Sequence, residues 1–168
     1  MKKGILLVFA LGLLVFCATE DGLAQGAPKI EQIWASPEVA YGQILRVYIK
    51  ASDPEGDMKL VQVNAKWGEK DVTAQSANSV ASATIRLGKE WRKNLNGYLY
   101  FDTKQAFQKN IADGIIEVVI EDSQGNESMP MSVPVKILQK GAKAEKAPAE
   151  FKDLAIGPIT AVPHAITP

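Results

Sequence analysis

Two stretches of strict alternation set the frame of the chain. Across Ile44 to Ser52, Leu45, Val47, Ile49 and Ala51 fall on one side, with Arg46, Tyr48 and Lys50 on the other. That is the period of two of a strand with one buried face. Across Met58 to Trp67 the pattern repeats, with Val61, Val63, Ala65 and Trp67 opposed to Leu60, Gln62, Asn64 and Lys66, so both strands offer an apolar side to one interior. Asp53-Pro54-Glu55-Gly56-Asp57 joins them. Pro54 fixes φ, Gly56 permits positive φ, and the flanking aspartates can accept loop N–H groups that have no ladder partner.

Weaker patterns flank this pair. Ile30 to Ala35 does not settle which residues face inward and suits an edge strand, and Pro37 ends it. Gly68 to Asp71 reads as a turn, Val80 to Leu87 as a half-buried strand, and Asn94-Leu95-Asn96-Gly97 as a second turn leading into a strand at Tyr98 to Phe101. Thr103 to Ile111 spaces Ala106, Phe107 and Ile111 as one short helical turn before a turn at Asp113-Gly114. The clearest hairpin follows, Ile115 to Glu121 and Met131 to Leu138 around Asp122 to Asn126. In it Ile116, Val118 and Ile120 are in phase with Val133, Val135 and Ile137. Pro130 and Pro134 cannot donate to a ladder and place the last strand at an edge or turn its nitrogens to solvent. Seven short strands and no long amphipathic helix predict an all-β chain, a single two-sheet sandwich of about seven antiparallel strands over residues 28–138.

The N-terminus changes the setting of that domain. Lys2 and Lys3 precede an apolar run from Gly4 to Phe16, shorter than the roughly 20 residues of a spanning helix, so residues 1–24 read as a secretory signal cleaved before Gln25. No integral membrane span is expected after cleavage, and the mature chain is placed as secreted, periplasmic or cell-surface. Cys17 is the only cysteine. Phe16 stands where a lipoprotein signal carries a small residue, which disfavours lipidation at Cys17, and with Cys17 removed no disulfide, thiolate metal site or cysteine nucleophile remains. Export without disulfides points to a bacterial envelope.

Charge narrows the partners. The chain carries 19 basic and 19 acidic residues, and the signal removes two of each. A balanced surface gives no electrostatic basis for holding nucleic acid or an anionic membrane. Residues 139–153 are rich in Ala, Lys, Glu and Pro and read as a linker. Residues 154–168 contain no Asp, Glu, Lys or Arg. Two explanations fit so apolar a tail: an extended segment docked on its own sandwich, or a peptide for a partner protein, with Leu154, Ile156, Ile159 and Val162 as its contacts.

The segments ASDPEGDMKLVQV and VVIEDSQGNES, with the alternating final strand, resemble bacterial immunoglobulin-like and cadherin-like extracellular domains over Ile30 to Leu138. The resemblance implies an immunoglobulin-like sandwich acting as a secreted binding or structural module. In some cadherin-like members such acidic turns bind calcium, which makes Asp53, Glu55, Asp57 and Asp122 candidate ligands. Calcium takes about six to eight oxygens, so these loops would have to converge at one end of the sandwich. Gly56 is also fourth in its loop, not sixth as in an EF-hand. The competing reading is turns that satisfy their own backbone.

Two function classes follow. The first is a non-enzymatic envelope module binding a protein or polysaccharide, or self-assembling as a spacer. The second is a carbohydrate-binding accessory domain or small glycan hydrolase, with Trp34 and Trp91 for stacking and Glu117 and Glu121 as a carboxylate pair. Four residues apart on one strand face, the glutamates lie roughly 13 Å apart, beyond the spacing glycosidases use. No Ser-x-x-Lys, Gly-x-Ser-x-Gly or His-Glu-x-x-His string occurs, and the single histidine, His164, lies in the tail without partners in sequence. Asn126-Glu127-Ser128 has the form of a glycosylation acceptor, which in a bacterial chain reads as chance.

Overall fold

A computed structural model of the chain describes residues 26–68, 79–106, 112–143, 145–160 and 162–165. The signal segment 1–24, the turn beyond Gly68 and the predicted helical residues 107–111 lie outside the described residues. The alternation yields ten strands: β1 (Lys29–Ala35), β2 (Glu38–Ala40), β3 (Ile44–Ser52), β4 (Met58–Gly68), β5 (Ser79–Arg86), β6 (Asn94–Asp102), β7 (Ala112–Asp122), β8 (Met131–Leu138), β9 (Ala155–Pro158) and β10 (Val162–Ala165). A 3₁₀ turn covers Lys89–Trp91, and one helical turn, α1, covers Thr103–Ala106. The fold is all-β and its strands form two sheets, ordered β1-β3-β6-β9 and β10-β5-β4-β7-β8-β2. The seven long strands pair antiparallel, whereas the short β2 and β9 add in parallel to β8 and β6.

The core lies between the sheets, where the alternation placed it. Leu45, Val47, Ile49, Leu95 and Leu99 of the first sheet meet Val61, Val63, Ile116, Val118, Ile120 and Ile137 of the second. β1 is an edge strand, and its mixed pattern has a cause: the register with β3 slips between Ile30 and Gln32, so Ile30 and Ala35 both reach the interior across a bulge. Pro134 falls on the part of β8 that β2 does not cover, since β2 pairs only with Lys136 to Leu138.

Two predicted turns are strand instead. β6 begins at Asn94, because Leu95, Gly97, Leu99 and Phe101 continue one buried face and the strand pairs with β3 from Asn94↔Ser52 to Asp102↔Ile44. β7 begins at Ala112 and carries Asp113 and Gly114 in register with Gly68 and Trp67. Both glycines answer to a close approach. The Trp67 ring lies where a Cβ of Gly114 would be, 2.0 Å from the nearest ring carbon, and the Leu154 carbonyl oxygen lies 2.6 Å from the corresponding point on Gly97.

The C-terminal residues complete the sandwich. After Leu138 the chain crosses the outer face of the first sheet, adds β9 to the far edge of β6, and adds β10 to the edge of β5. Tyr98 N–H donates to the Leu154 carbonyl (2.8 Å) and Ile159 N–H to the Tyr100 carbonyl (2.7 Å). Ile159 is buried and Ile156 packs on the core. Of the two explanations for the apolar tail, docking on its own domain is what the fold displays. It docks as two four-residue strands, short enough for the prolines that interrupt longer pairing.

Candidate functional site

The outer face of the first sheet carries an aromatic row. Antiparallel register sets Trp34 of β1 opposite Tyr48 of β3, and Tyr48 opposite Tyr98 of β6. The rings follow, with centroids 5.7 Å apart for Trp34 and Tyr48 and 5.2 Å for Tyr48 and Tyr98, both within the range of favourable tilted aromatic pairs. The Arg46 guanidinium lies 4.7 Å above the Tyr98 ring, a cation–π geometry.

Over this row runs a strap, residues 145–153, from the stretch that composition marked as a linker. Phe151 sets its ring 5.9 Å from Tyr48, and Tyr48, on the outward face, is only 6% exposed. Asp153 Oδ1 accepts from Arg46 Nη1 (3.0 Å) and from the Tyr48 hydroxyl (3.1 Å). The ion pair is solvent-facing and contributes little by itself; with the phenol it fixes the strap's register. Burial under the strap pushes the Tyr48 phenol above its ordinary range; the Arg46 contact opposes this and Asp153 reinforces it.

The main chain of the strap is held separately. Asn96 Nδ2 donates to the Glu150 carbonyl (3.0 Å), and Asn96 Oδ1 accepts from Lys152 N–H (2.8 Å). One side-chain amide thus satisfies a main-chain acceptor and a main-chain donor two residues apart, where the strap leaves the turn that Phe151 N–H closes on the Pro148 carbonyl (3.1 Å). Further along, Glu145 N–H donates to Ser36 Oγ (3.0 Å). Between strap and sheet a groove of about 540 Å³ stays open, lined by the apolar Trp34, Ile44, Tyr48 and Phe151 and by the charged Arg46 and Asp153. That volume is within the usual range of ligand pockets.

No protein-family model matches the chain, and no curated protein matches it. The chemistry of this face therefore rests on its own geometry.

The acidic residues singled out in the sequence do meet at one end of the sandwich. Asp53 is 1% exposed, and its two oxygens accept Glu55 N–H and Asp57 N–H, each at 3.0 Å. Asp122 is fully buried, with Oδ1 accepting Gln124 N–H and Asn126 N–H and Oδ2 accepting the Asn126 side-chain amide, all at 2.8 Å. Glu55 takes the Gln124 side chain (2.6 Å), and Asp57 takes the Ser123 hydroxyl. The bonded oxygens close the turns and lace the two loops together, while Asp57 Oδ1 is buried without a hydrogen-bond partner among the described residues. Among the described residues no group of three or more His, Cys, Asp or Glu is placed to hold a metal ion.

The remaining candidates separate. Trp67 is 3% exposed and set edge-on to Phe101 at 6.4 Å. Trp91 packs against the core beside Gly97, whereas Trp34 lines the groove under the strap. Leu154 is half-exposed while Ile156 and Ile159 turn inward; β10 carries Val162 and His164 along β5. Glu121 accepts from Gln62 (3.2 Å), as does Glu127, and Glu117 sits opposite Asn64 in the same sheet. Asn126 of the glycosylation-like triplet is bound to Asp122, and Ser128 is buried with its Oγ accepting Ile120 N–H (3.0 Å). Among the described residues no helix is long and apolar enough to cross a membrane.

The strap site was missed in the sequence reading, although a signal was present. Trp34, Tyr48, Tyr98 and Tyr100 all take outward positions, and several large aromatics on a nominally solvated face call for a covering element.

Proposed function

We propose that this chain is an exported, non-enzymatic binding module of immunoglobulin-like type that holds polypeptide main chain on the outer face of its first sheet. The observation that carries the binding role is the Asn96 amide, which engages the main chain at residues 150 and 152 through both of its groups. Such contacts engage the peptide groups of the bound segment and not its side chains. The aromatic row supplies the apolar contact, and the groove beside the strap leaves room for more chain. The order β1-β3-β6 facing β5-β4-β7-β8, with a buried tryptophan on β4, supports the immunoglobulin-like assignment. The N-terminal apolar run supports export to the cell envelope.

Trp34 beside an open groove favours a second reading, a saccharide stacked on that ring. Both are tested by panning the mature protein against a displayed peptide library and a glycan array, beside Trp34→Ala. Peptides retained by the wild type and weakened about tenfold or more in the variant, equivalent to about 1.4 kcal/mol, are the expected result. Glycans retained in their place, and lost with Trp34, would move the assignment to saccharides.

A further inference from the structure

The strap and β9 form a self-contained ligand. Their holding contacts are the Glu145 bond to Ser36, the Asn96 clamp, the Arg46 and Tyr48 bonds to Asp153, the Tyr98 bond to the Leu154 carbonyl and the burial of Ile159, and all involve residues 145–159 of one segment. None of these contacts requires the segment to belong to the same copy.

The connection to the sandwich is built loosely. Gln139, Lys140, Gly141 and Lys143, which precede the strap, are exposed. Gly141 turns at φ +81°, and nothing lies within 4 Å of where its Cβ would be. The six residues 139–144 that precede the strap reach roughly 20 to 22 Å when extended, the span available for seating the strap on an adjacent molecule.

We propose that the C-terminal segment exchanges between two copies of this chain, the strap and β9 of each seating on the Asn96 face and β6 edge of the other. This rests on the polypeptide-binding reading and names its partner, a second copy. A reciprocal exchange preserves every contact made within one chain and changes only the path near Gly141, which is why swapping an identical element is a low-cost route to a dimer. In dilute solution the tether gives the intramolecular arrangement a millimolar advantage; crowding in an envelope layer, or disabling of the intramolecular contact, transfers the segment to the neighbour.

The test uses two full-length mature variants. Gly97→Ala places a methyl against the Leu154 carbonyl and closes the receiving edge while leaving the segment intact. Phe151→Ala with Asp153→Ala and Ile159→Ser disables the segment and leaves the receiving face intact. Each variant alone is expected to run as a monomer in light scattering. The mixture is expected to double its apparent mass as a 1:1 complex, because the intact segment of the first fits the vacant face of the second. A mixture that stays monomeric at high micromolar concentration, with both chains folded, overturns the proposal. Should the segment-disabled chain lose its cooperative urea transition, a peptide of residues 145–160 is expected to restore it, and failure to do so is equally adverse. Peptide binding by the wild type without complementation would leave the binding reading standing and remove the exchange.

Discussion

Replacing Gly114 with alanine is expected to cost about 3 kcal/mol or more of folding stability, at the upper end of what overpacking a core does. The added methyl would sit 2.0 Å from one carbon of the Trp67 ring and 2.1 Å from the next. Trp67 has no room to withdraw: it is buried, it meets Phe101 edge-on, and it pairs in register with Gly114 itself. Propensity pushes the other way, since alanine loses less backbone entropy than glycine by roughly 0.5 to 1 kcal/mol, so any net loss measures the clash. Urea denaturation should show a lower midpoint with an unchanged slope. In a Trp67→Leu background the same substitution should cost less than about 1 kcal/mol, a coupling of about 2 kcal/mol between contacting residues. Equal costs in the two backgrounds would show that the ring is not what excludes the methyl.

Gly114 also marks where the sequence stops being legible. The core faces of β3, β4, β7 and β8 could be read directly, because a period of two records which side of a strand is inward. Asp53 could be placed in its turn role because Asx side chains accept local N–H groups. Gly97 and Gly114, however, carry the letters of a turn while meeting the demands of packing: what requires them is a carbonyl from residue 154 and a ring from residue 67, neither of which is nearby in sequence. The strap was hidden for a related reason. Trp34, Tyr48 and Tyr98 become one row only once two antiparallel registers are fixed, and Asn96 acquires its partners only when residues 150–152 cross above it. A stretch rich in Ala, Lys, Glu and Pro cannot fold alone, yet it needs only Phe151, Asp153 and its own main chain to lie down on a face already built.

The second large effect is expected at Asp122, whose replacement by alanine should cost about 3 kcal/mol at neutral pH. The substitution leaves Gln124 N–H, Asn126 N–H and the Asn126 amide without their acceptor, and an unmatched buried donor costs on the order of 1 to 3 kcal/mol. The total stays below the sum because the loop can open one donor to water. The same bonds set a pH dependence. Burial alone would raise this carboxyl, but the Asn126 side chain and the N–H groups of Asn126, Gln124 and Gly125 outweigh it and hold the group below its ordinary range. A carboxylate depressed on folding contributes its stability in full above the unfolded value, near about 3.9, and loses it as pH falls through the lower folded value. Wild-type stability should therefore decline on acidification below about pH 4, and Asp122→Ala should remove part of that decline while lowering the neutral plateau. Asp122→Asn, which keeps one acceptor oxygen, should fall between the two at neutral pH and lack the Asp122 share of the acid limb. Stability curves for wild type and Asp122→Ala that run parallel from pH 2.5 to 7 would mean that the loop bonds do not depend on the charge of Asp122, and the acid sensitivity would then belong to other carboxylates.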